Sequence, residues 1–178
     1  MQDYFWVRIS YLRKNFSVVN KGIFTFILFT SIALNTSWLQ AAIPDIYDVI
    51  QSDDSSAINA ALSALEKSPA KEKDAYRGAL LMKKSGMMKS GMDKFSVFKQ
   101  GRKLLEASIK QDSSNAEYRF LRLMIQEQAP DFLNYHSKKE EDAKMIRASY
   151  QTLPSNTREA IKMYSKKSRI LKPEEFQK

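Results

Sequence analysis

Cysteine is absent from the 178 residues of this chain. Disulfide bridges, thiolate metal sites, a cysteine nucleophile and a lipid-modified cysteine near the N-terminus are therefore excluded. Histidine is nearly absent: His136 is the only one, and it lies in a segment predicted to be a loop just before a helix. A metal site or a general base would need partner ligands that the sequence does not place beside it. We therefore expect no metal and no cofactor.

A long hydrophobic run is also lacking. The apolar segment Gly22–Leu34 has thirteen residues, whereas a helix that spans a bilayer needs about 20. Small residues, Ala41 and Ala42, follow it, and four basic residues precede it: Arg8, Arg13, Lys14 and Lys21. This order is typical of a secretory signal peptide. Residues 1–42 therefore predict export to the periplasm or cell envelope, with cleavage near Ala41 or Ala42.

An uncleaved membrane anchor is the alternative for the same segment. In that case the span would extend from Val18 to Ala42, with Trp38 at the membrane interface. Polar residues such as Lys21 and Asn35 make such a span unfavourable. A signal that is removed would contact the membrane only transiently.

The rest of the chain has no strong excess of one charge. Outside the predicted signal, residues 43–178 contain 25 basic and 19 acidic side chains. No basic stripe with interleaved aromatic residues accompanies this modest excess, so we expect no nucleic-acid partner. The length of this part predicts one domain, large enough to bury a core without disulfides or metal.

Strand patterns are missing as well. After residue 44 the apolar residues recur with helical spacing and no alternating β-branched run is present, which predicts an all-α fold. The predicted helix 116–128 is apolar on two flanks and should be central. In the predicted helix 92–111 the buried face carries Phe95, Phe98 and Gly101. The other helices are predicted over residues 45–50, 69–84, 138–151 and 155–171. One more helix is predicted to follow the capping residues 52–55 and to end at residue 68.

Two joints between predicted helices resemble those of tetratricopeptide repeats. Leu105 to Tyr118 is similar to that family's second helix, its turn and the start of the next repeat, and Ala64 to Pro69 repeats the pattern. Pro69 and Ser113 are 44 residues apart, which is longer than the family's repeat of about 34. The resemblance implies paired antiparallel helical hairpins.

A second resemblance concerns the segment Asn115 to Leu123, together with Gln126 and Pro130. It is similar to a stretch found in uncharacterised small exported proteins of Bacteroidetes-type bacteria. That likeness implies a protein of the cell envelope, and it implies no active site.

The polar residues of helix 116–128 are the best candidates for a binding site. Arg119, Arg122 and Gln126 lie at positions i, i+3 and i+7, and Asn115 lies one turn earlier. In the groove of a helical-repeat protein, guanidinium groups and an amide on one face would hold an acidic peptide or a carboxylate. The alternative is that the two arginines pair with acidic residues on neighbouring helices or lie in water.

Several other segments allow two interpretations. Four methionines either form an adaptable surface for a partner or fill the core around a helical corner: Met82, Met87, Met88 and Met92. The charged run Lys138–Asp142 predicts a solvated face at a helix start. The basic tail Lys162–Lys172 suits either contact with anionic surfaces or simple solubility.

These features predict a non-enzymatic binding or scaffolding domain of the cell envelope that holds a protein or peptide partner. One alternative is an envelope hydrolase acting on peptidoglycan, with Glu127 and Asp131 as its acid pair. The absence of a recognisable nucleophile, phosphate loop or metal-ligand set argues against an enzyme. The other alternative is a membrane-anchored accessory protein, which differs only in the fate of the signal.

Overall fold

Residues 45–177 are described by a computed structural model, and they contain helices but no strand. The all-α prediction is therefore confirmed for this part of the chain. The predicted signal segment, residues 1–42, lies outside the described residues. The described residues form seven α-helices, α1 Ile46–Gln51, α2 Ser55–Glu66, α3 Lys73–Met87, α4 Gly91–Gln111, α5 Ala116–Gln128, α6 Lys139–Ser149 and α7 Ser155–Ser165. They also form short 3₁₀ helices at Asp131–Leu133, Tyr150–Thr152 and Pro173–Phe176.

Three of the helix starts are fixed by side chains that the sequence places just before them. The carboxylate of Asp45 accepts a hydrogen bond from the N–H of Tyr47 at the start of α1. Asp54 caps α2, and the amide oxygen of Asn115 caps α5 by accepting from two backbone N–H groups. Short polar side chains at this position satisfy backbone donors that have no partner within the helix. Local sequence therefore determines where these helices begin.

Helix α5 lies at the centre of the core, as its two apolar flanks predict. The side chains of Phe120, Leu121, Leu123 and Met124 have no exposed area. The helix packs against α3, α4 and α6, and the ring of Phe120 lies 5.6 Å from that of Tyr47 in α1. Helix α5 therefore holds together elements that are distant in the sequence. Its apolar side chains pack against these elements, and its buried polar side chains need hydrogen-bond or ion-pair partners on them.

Helices α3 and α4 approach each other closely at a pair of glycines. A Cβ atom on Gly78 would lie 2.7 Å from the carbonyl oxygen of Gly101, and a Cβ on Gly101 would lie 2.5 Å from the carbonyl oxygen of Gly78. Real side chains are excluded at such distances from the backbone. Glycine at both positions therefore permits the close contact. Gly101 lies on the buried face that the sequence predicts.

The start of α3 differs from the sequence-based prediction. The helix begins at Lys73 and not at Pro69. Before it, the hydroxyl of Ser68 accepts a hydrogen bond from the N–H of Ala70, and the N–H of Lys73 donates to the carbonyl of Ala70. These turn bonds hold the residues after Pro69 outside the helix. The end of α3 also differs, since Gly86 lies within its last turn.

The end of α7 was also predicted incorrectly. The helix ends at Ser165, before the predicted end at Leu171. The carboxylate of Glu127 in α5 accepts hydrogen bonds from the hydroxyl of Ser168 and from the N–H of Arg169, both at 2.7 Å. This acid holds the chain in a turn after α7. Leu171, which lies beyond this turn, nevertheless has no exposed area.

Candidate functional site

The polar residues of α5 do not form an open face. Arg119, Arg122 and Gln126 are 7%, 4% and 1% exposed. Asn115 is the N-cap of the helix, where its amide oxygen accepts from the N–H groups of Glu117 and Tyr118 at 3.1 Å. The structure therefore places one of the four sequence-predicted residues in a capping role and buries the other three.

The two arginines converge on the carboxylate of Asp142 in α6. Arg122 donates to it through Nε at 2.7 Å and Nη2 at 2.6 Å, in a bidentate arrangement. Arg119 donates from Nη1 at 3.1 Å. The side chain of Asp142 has no exposed area. Charge-assisted bonds of this kind are strong, and they link α5 firmly to α6.

The remaining donors of both arginines also have acceptors within the chain. Nη1 of Arg122 donates to Glu106 in α4 at 2.8 Å, and Nη1 of Arg119 donates to Glu141 at 2.9 Å. Nε and Nη2 of Arg119 donate to the carbonyl oxygen of Ser113. These five ionised residues, Arg119, Arg122, Glu106, Glu141 and Asp142, are called the Asp142 cluster below.

The contacts of the Asp142 cluster favour the charged form of Arg122. Burial alone would lower the pKa of the Arg122 guanidinium, but Asp142 and Glu106 raise that pKa above its ordinary value. Glu106 also accepts a hydrogen bond from the hydroxyl of Tyr135 at 2.6 Å. Burial first, and the Glu106 carboxylate second, raise the pKa of Tyr135. The carboxylate of Glu106 therefore accepts from both Arg122 and Tyr135.

These contacts correspond to the alternative in which acidic residues on neighbouring helices neutralise the arginines. Ligand binding at Asn115, Arg119, Arg122 and Gln126 stays a prediction. The guanidinium nitrogens of the two arginines already donate to acceptors of the same chain. Gln126 contributes a buried side-chain oxygen for which residues 45–177 provide no hydrogen-bond donor. The four residues therefore do not combine into one open site.

Asp142 was wrongly predicted to lie on a solvated face with Lys138 and its neighbours. The sequence did contain a signal for its burial, because Asp142 precedes the buried residue Ile146 by four positions. Residues with that spacing share one face of a helix. The run of charged residues that precedes Asp142 concealed this relation.

A second acid that accepts hydrogen bonds from other helices was not identified from the sequence. The carboxylate of Glu117 in α5 accepts hydrogen bonds from the hydroxyl groups of Tyr47 and Tyr76. The hydroxyl of Tyr47 also lies 3.1 Å from that of Thr157 in α7. Burial, followed by the Glu117 carboxylate, raises the pKa of both tyrosines. This cluster fastens α1, α3 and α7 to the central helix and leaves no open donor for a ligand.

An open cavity of about 490 Å³ lies elsewhere, where the end of α3, the start of α4 and the segment after α5 meet. Its walls are mostly apolar and include Met87, Phe95, Phe98, Ile125 and Phe132. We call this cavity the apolar groove. Pockets that hold ligands commonly have volumes of about 300–1,000 Å³ and apolar walls.

The groove is bordered by large apolar side chains that project into solvent. Phe95 is 52% exposed and Phe132 is 78% exposed. Met92, at the start of α4, is 88% exposed and lines an adjoining shallow hollow with Phe95. Clustered exposure of this kind is typical of interaction sites in proteins.

The predicted burial of Phe95 was therefore wrong, although Phe98 and Gly101 on the same helix are buried. The space around Gly86 and Gly91 is open, because a Cβ atom added at either glycine would meet no described atom within 4 Å. The helical spacing correctly places Phe95 on the apolar side of α4. That side simply extends beyond the neighbouring helix into the groove. Of the four methionines, Met82 is buried while Met92 is exposed.

Charged side chains at the groove differ in their pairing. Lys83 donates to Asp53 at 2.9 Å, so both are neutralised locally. Lys94 also lines the groove, and within residues 45–177 no acidic side chain forms an ion pair with it. Lys99 lines the adjoining hollow, with its ammonium group 5.6 Å from the centre of the Phe95 ring. Lys94 is therefore a partly buried cation that has apolar neighbours and no counter-charge.

The acids suggested for hydrolysis contact different groups. Glu127 is held by Ser168 and Arg169, as described above. Asp131 is fully exposed, and its Oδ1 lies 3.3 Å from Nε2 of His136. Nδ1 of His136 lies 2.9 Å from the backbone oxygen of Gln126. These contacts anchor the loop before α6, and each of the two acids has partners of its own.

Other kinds of site are not found in the described part of the chain. Residues 45–177 contain no group of three or more potential metal ligands. No helix formed by these residues is long and apolar enough to cross a membrane. No protein-family model, curated protein or solved structure matches the chain. The apolar groove is therefore the best candidate site on its own geometry.

Proposed function

We propose that the protein is an exported, non-enzymatic helical domain of the bacterial cell envelope that holds a protein or peptide partner. The apolar groove carries this proposal. It combines a cavity of about 490 Å³ with exposed side chains of Phe95 and Phe132 on its border. Grooves between helices commonly receive apolar side chains of a partner segment. The partner site lies at the groove and not at the arginines of α5.

The arrangement of helices in this proposal is that of a helical scaffold. Helices α3 and α4 pack against each other and are separated only by the residues from Met88 to Ser90. Short connections favour antiparallel neighbours. We extend this to paired, tetratricopeptide-like hairpins, in which the groove lies at the connected end of the α3–α4 pair.

The export part of the proposal depends on residues 1–42 and has its own test. The N-terminus of protein recovered from cells should lie near Ala41 or Ala42. A chain that stays in the membrane fraction and retains Arg13 and Lys14 would show instead a membrane-anchored accessory protein. Either result leaves the groove available for a partner.

The binding part can be tested in living cells with a photo-crosslinking amino acid placed at Phe132. Met163 in α7 is a matched control, because it is apolar and 52% exposed but lies outside the groove. We expect a discrete crosslinked adduct with the probe at Phe132 or Phe95 and none with the probe at Met163. Equal crosslinking at all three positions, or no adduct at Phe132 and Phe95, would contradict the proposal.

A further inference from the structure

We infer that the apolar groove receives an acidic, apolar peptide segment of a protein partner. A large apolar side chain of this segment lies between Phe95 and Phe132, and a neighbouring carboxylate pairs with Lys94. This inference rests on the proposed function and adds the chemistry of the partner. It assigns the recognition of a partner carboxylate to Lys94, which was not identified from the sequence.

The apolar half of this recognition follows from shape and exposure. Phe95 and Phe132 border the cavity, and Phe98 and Ile125, which are 4% and 5% exposed, contribute to its walls. A large aliphatic or aromatic side chain placed there would remove area on both exposed rings from water. Burial of apolar area is the main favourable contribution in such contacts.

The acidic half follows from the unbalanced charge of Lys94. Three acidic residues lie near the groove. Asp53 is already paired with Lys83, Asp131 lies beside His136, and Asp93 is an exposed residue in the first turn of α4. A partner that covers the groove would exclude water from Lys94, and an unpaired cation is costly in such surroundings. A carboxylate on the partner supplies the missing counter-charge.

Charge also decides between a partner segment and a second copy of this chain. A symmetric dimer through the groove would bring Lys94 and Lys99 towards the same residues of the other copy. Like charges brought together across an interface oppose association. Residues 43–178 contain 25 basic and 19 acidic side chains, and this excess further favours an acidic partner over a second copy.

The first experiment is selection of a random short-peptide library on the protein as recovered from cells. Peptides that bind should be enriched in large apolar residues next to Asp or Glu. Phe132→Ala should weaken the binding of a selected peptide by about tenfold or more, which corresponds to roughly 1.4 kcal/mol. Because Phe132 is exposed, this variant is expected to stay folded, which circular dichroism checks.

The second experiment reverses the charge of Lys94. Lys94→Glu should weaken the binding of the selected acidic peptide by about tenfold or more. The same variant should bind more tightly a version of that peptide in which lysine replaces the acidic residues. Lys144→Glu is the matched control, because Lys144 is exposed on α6 and does not line the groove. We expect the control to bind both peptides as the unchanged protein does.

Three outcomes would overturn the inference. Apolar peptides that require Phe132 but show no excess of acids, and no response to Lys94→Glu, would refute the acidic partner and leave the proposed function intact. Absence of any peptide whose binding depends on Phe132 would refute both. Concentration-dependent self-association that Phe132→Ala abolishes would identify a second copy as the occupant.

Discussion

The Asp142 cluster and the apolar groove treat basic side chains in opposite ways. In the cluster, Arg119 and Arg122 are buried and every guanidinium nitrogen donates to an acceptor of the same chain. In the groove, Lys94 has apolar neighbours and no acid of residues 45–177 paired with it. The comparison teaches that a basic residue marks a ligand site only where the fold has not already neutralised it.

The difference arises from tertiary structure and not from the basic residues themselves. Asp142 is twenty positions from Arg122 in the chain, and only the packing of α6 on α5 brings them together. At the groove, Lys83 forms an ion pair with Asp53, which lies thirty positions earlier in the chain. No acid among residues 45–177 forms an ion pair with Lys94. The Asp142 cluster therefore links helices of the fold, whereas Lys94 in the apolar groove has no ion pair among residues 45–177.

The largest effect is expected from Asp142→Asn. This change removes the shared counter-charge and leaves two arginines buried, so the free energy of unfolding should fall by about 3–5 kcal/mol. Chemical denaturation measures the change. Glu140→Gln is the control, since Glu140 is exposed on the same helix, and it should alter stability by less than about 0.5 kcal/mol. Equal effects of the two substitutions would show that the cluster is solvated.

The next effect compares a core side chain of α5 with one that borders the groove. Leu121→Ala should lower the free energy of unfolding by about 2–5 kcal/mol, because it removes a fully buried side chain and leaves a cavity. Phe132→Ala should change it by less than about 1 kcal/mol, because that ring is 78% exposed. Thermal or denaturant unfolding of both variants checks this contrast. A large loss for Phe132→Ala would assign the ring a structural role.

A smaller effect distinguishes glycines on the same helix. Gly78→Ala should destabilise by about 1–3 kcal/mol, because its Cβ would meet the backbone of Gly101 where α3 contacts α4. Gly86→Ala at the groove should stabilise by about 0.4–1 kcal/mol, because the site has open space and alanine favours the helix. Unfolding midpoints test the opposite signs. Two changes of the same sign would contradict this account of the α3–α4 contact.

The smallest effect concerns Glu141, at the exposed edge of the cluster. Hydrogen bonds from Lys138 and then Arg119 lower the pKa of this carboxyl below 4.5. Because the folded-state pKa is lowered, its contribution to stability is present above pH 4.5 and is lost as the pH falls through the lowered pKa. Titration followed by NMR should show Lys138→Met raising this pKa, with Lys144→Met as a control that leaves it unchanged. An unshifted pKa in Lys138→Met would exclude the bond to Lys138.

Local patterns predicted much of the fold but not the pairing of charges. The bounds of α5 and its central position followed from its cap at Asn115 and its two apolar flanks. The burial of Asp142 and the exposure of Phe95 did not follow, because each depends on which distant element lies opposite. Helical spacing identifies the face of a residue. Only the packed structure identifies whether that face meets another helix or an open groove.

The most direct test of the central claim compares the oxidation of two exposed methionines. Met92 lines the hollow that adjoins the groove and is 88% exposed, and Met163 is 52% exposed on α7. Oxidation of methionine to its sulfoxide depends on access and is measured by mass spectrometry. We predict that Met92 is protected in intact cells relative to the purified protein, while Met163 is oxidised equally in both. Equal oxidation of Met92 in cells and in purified protein, or protection confined to Met163, would contradict a partner in the apolar groove.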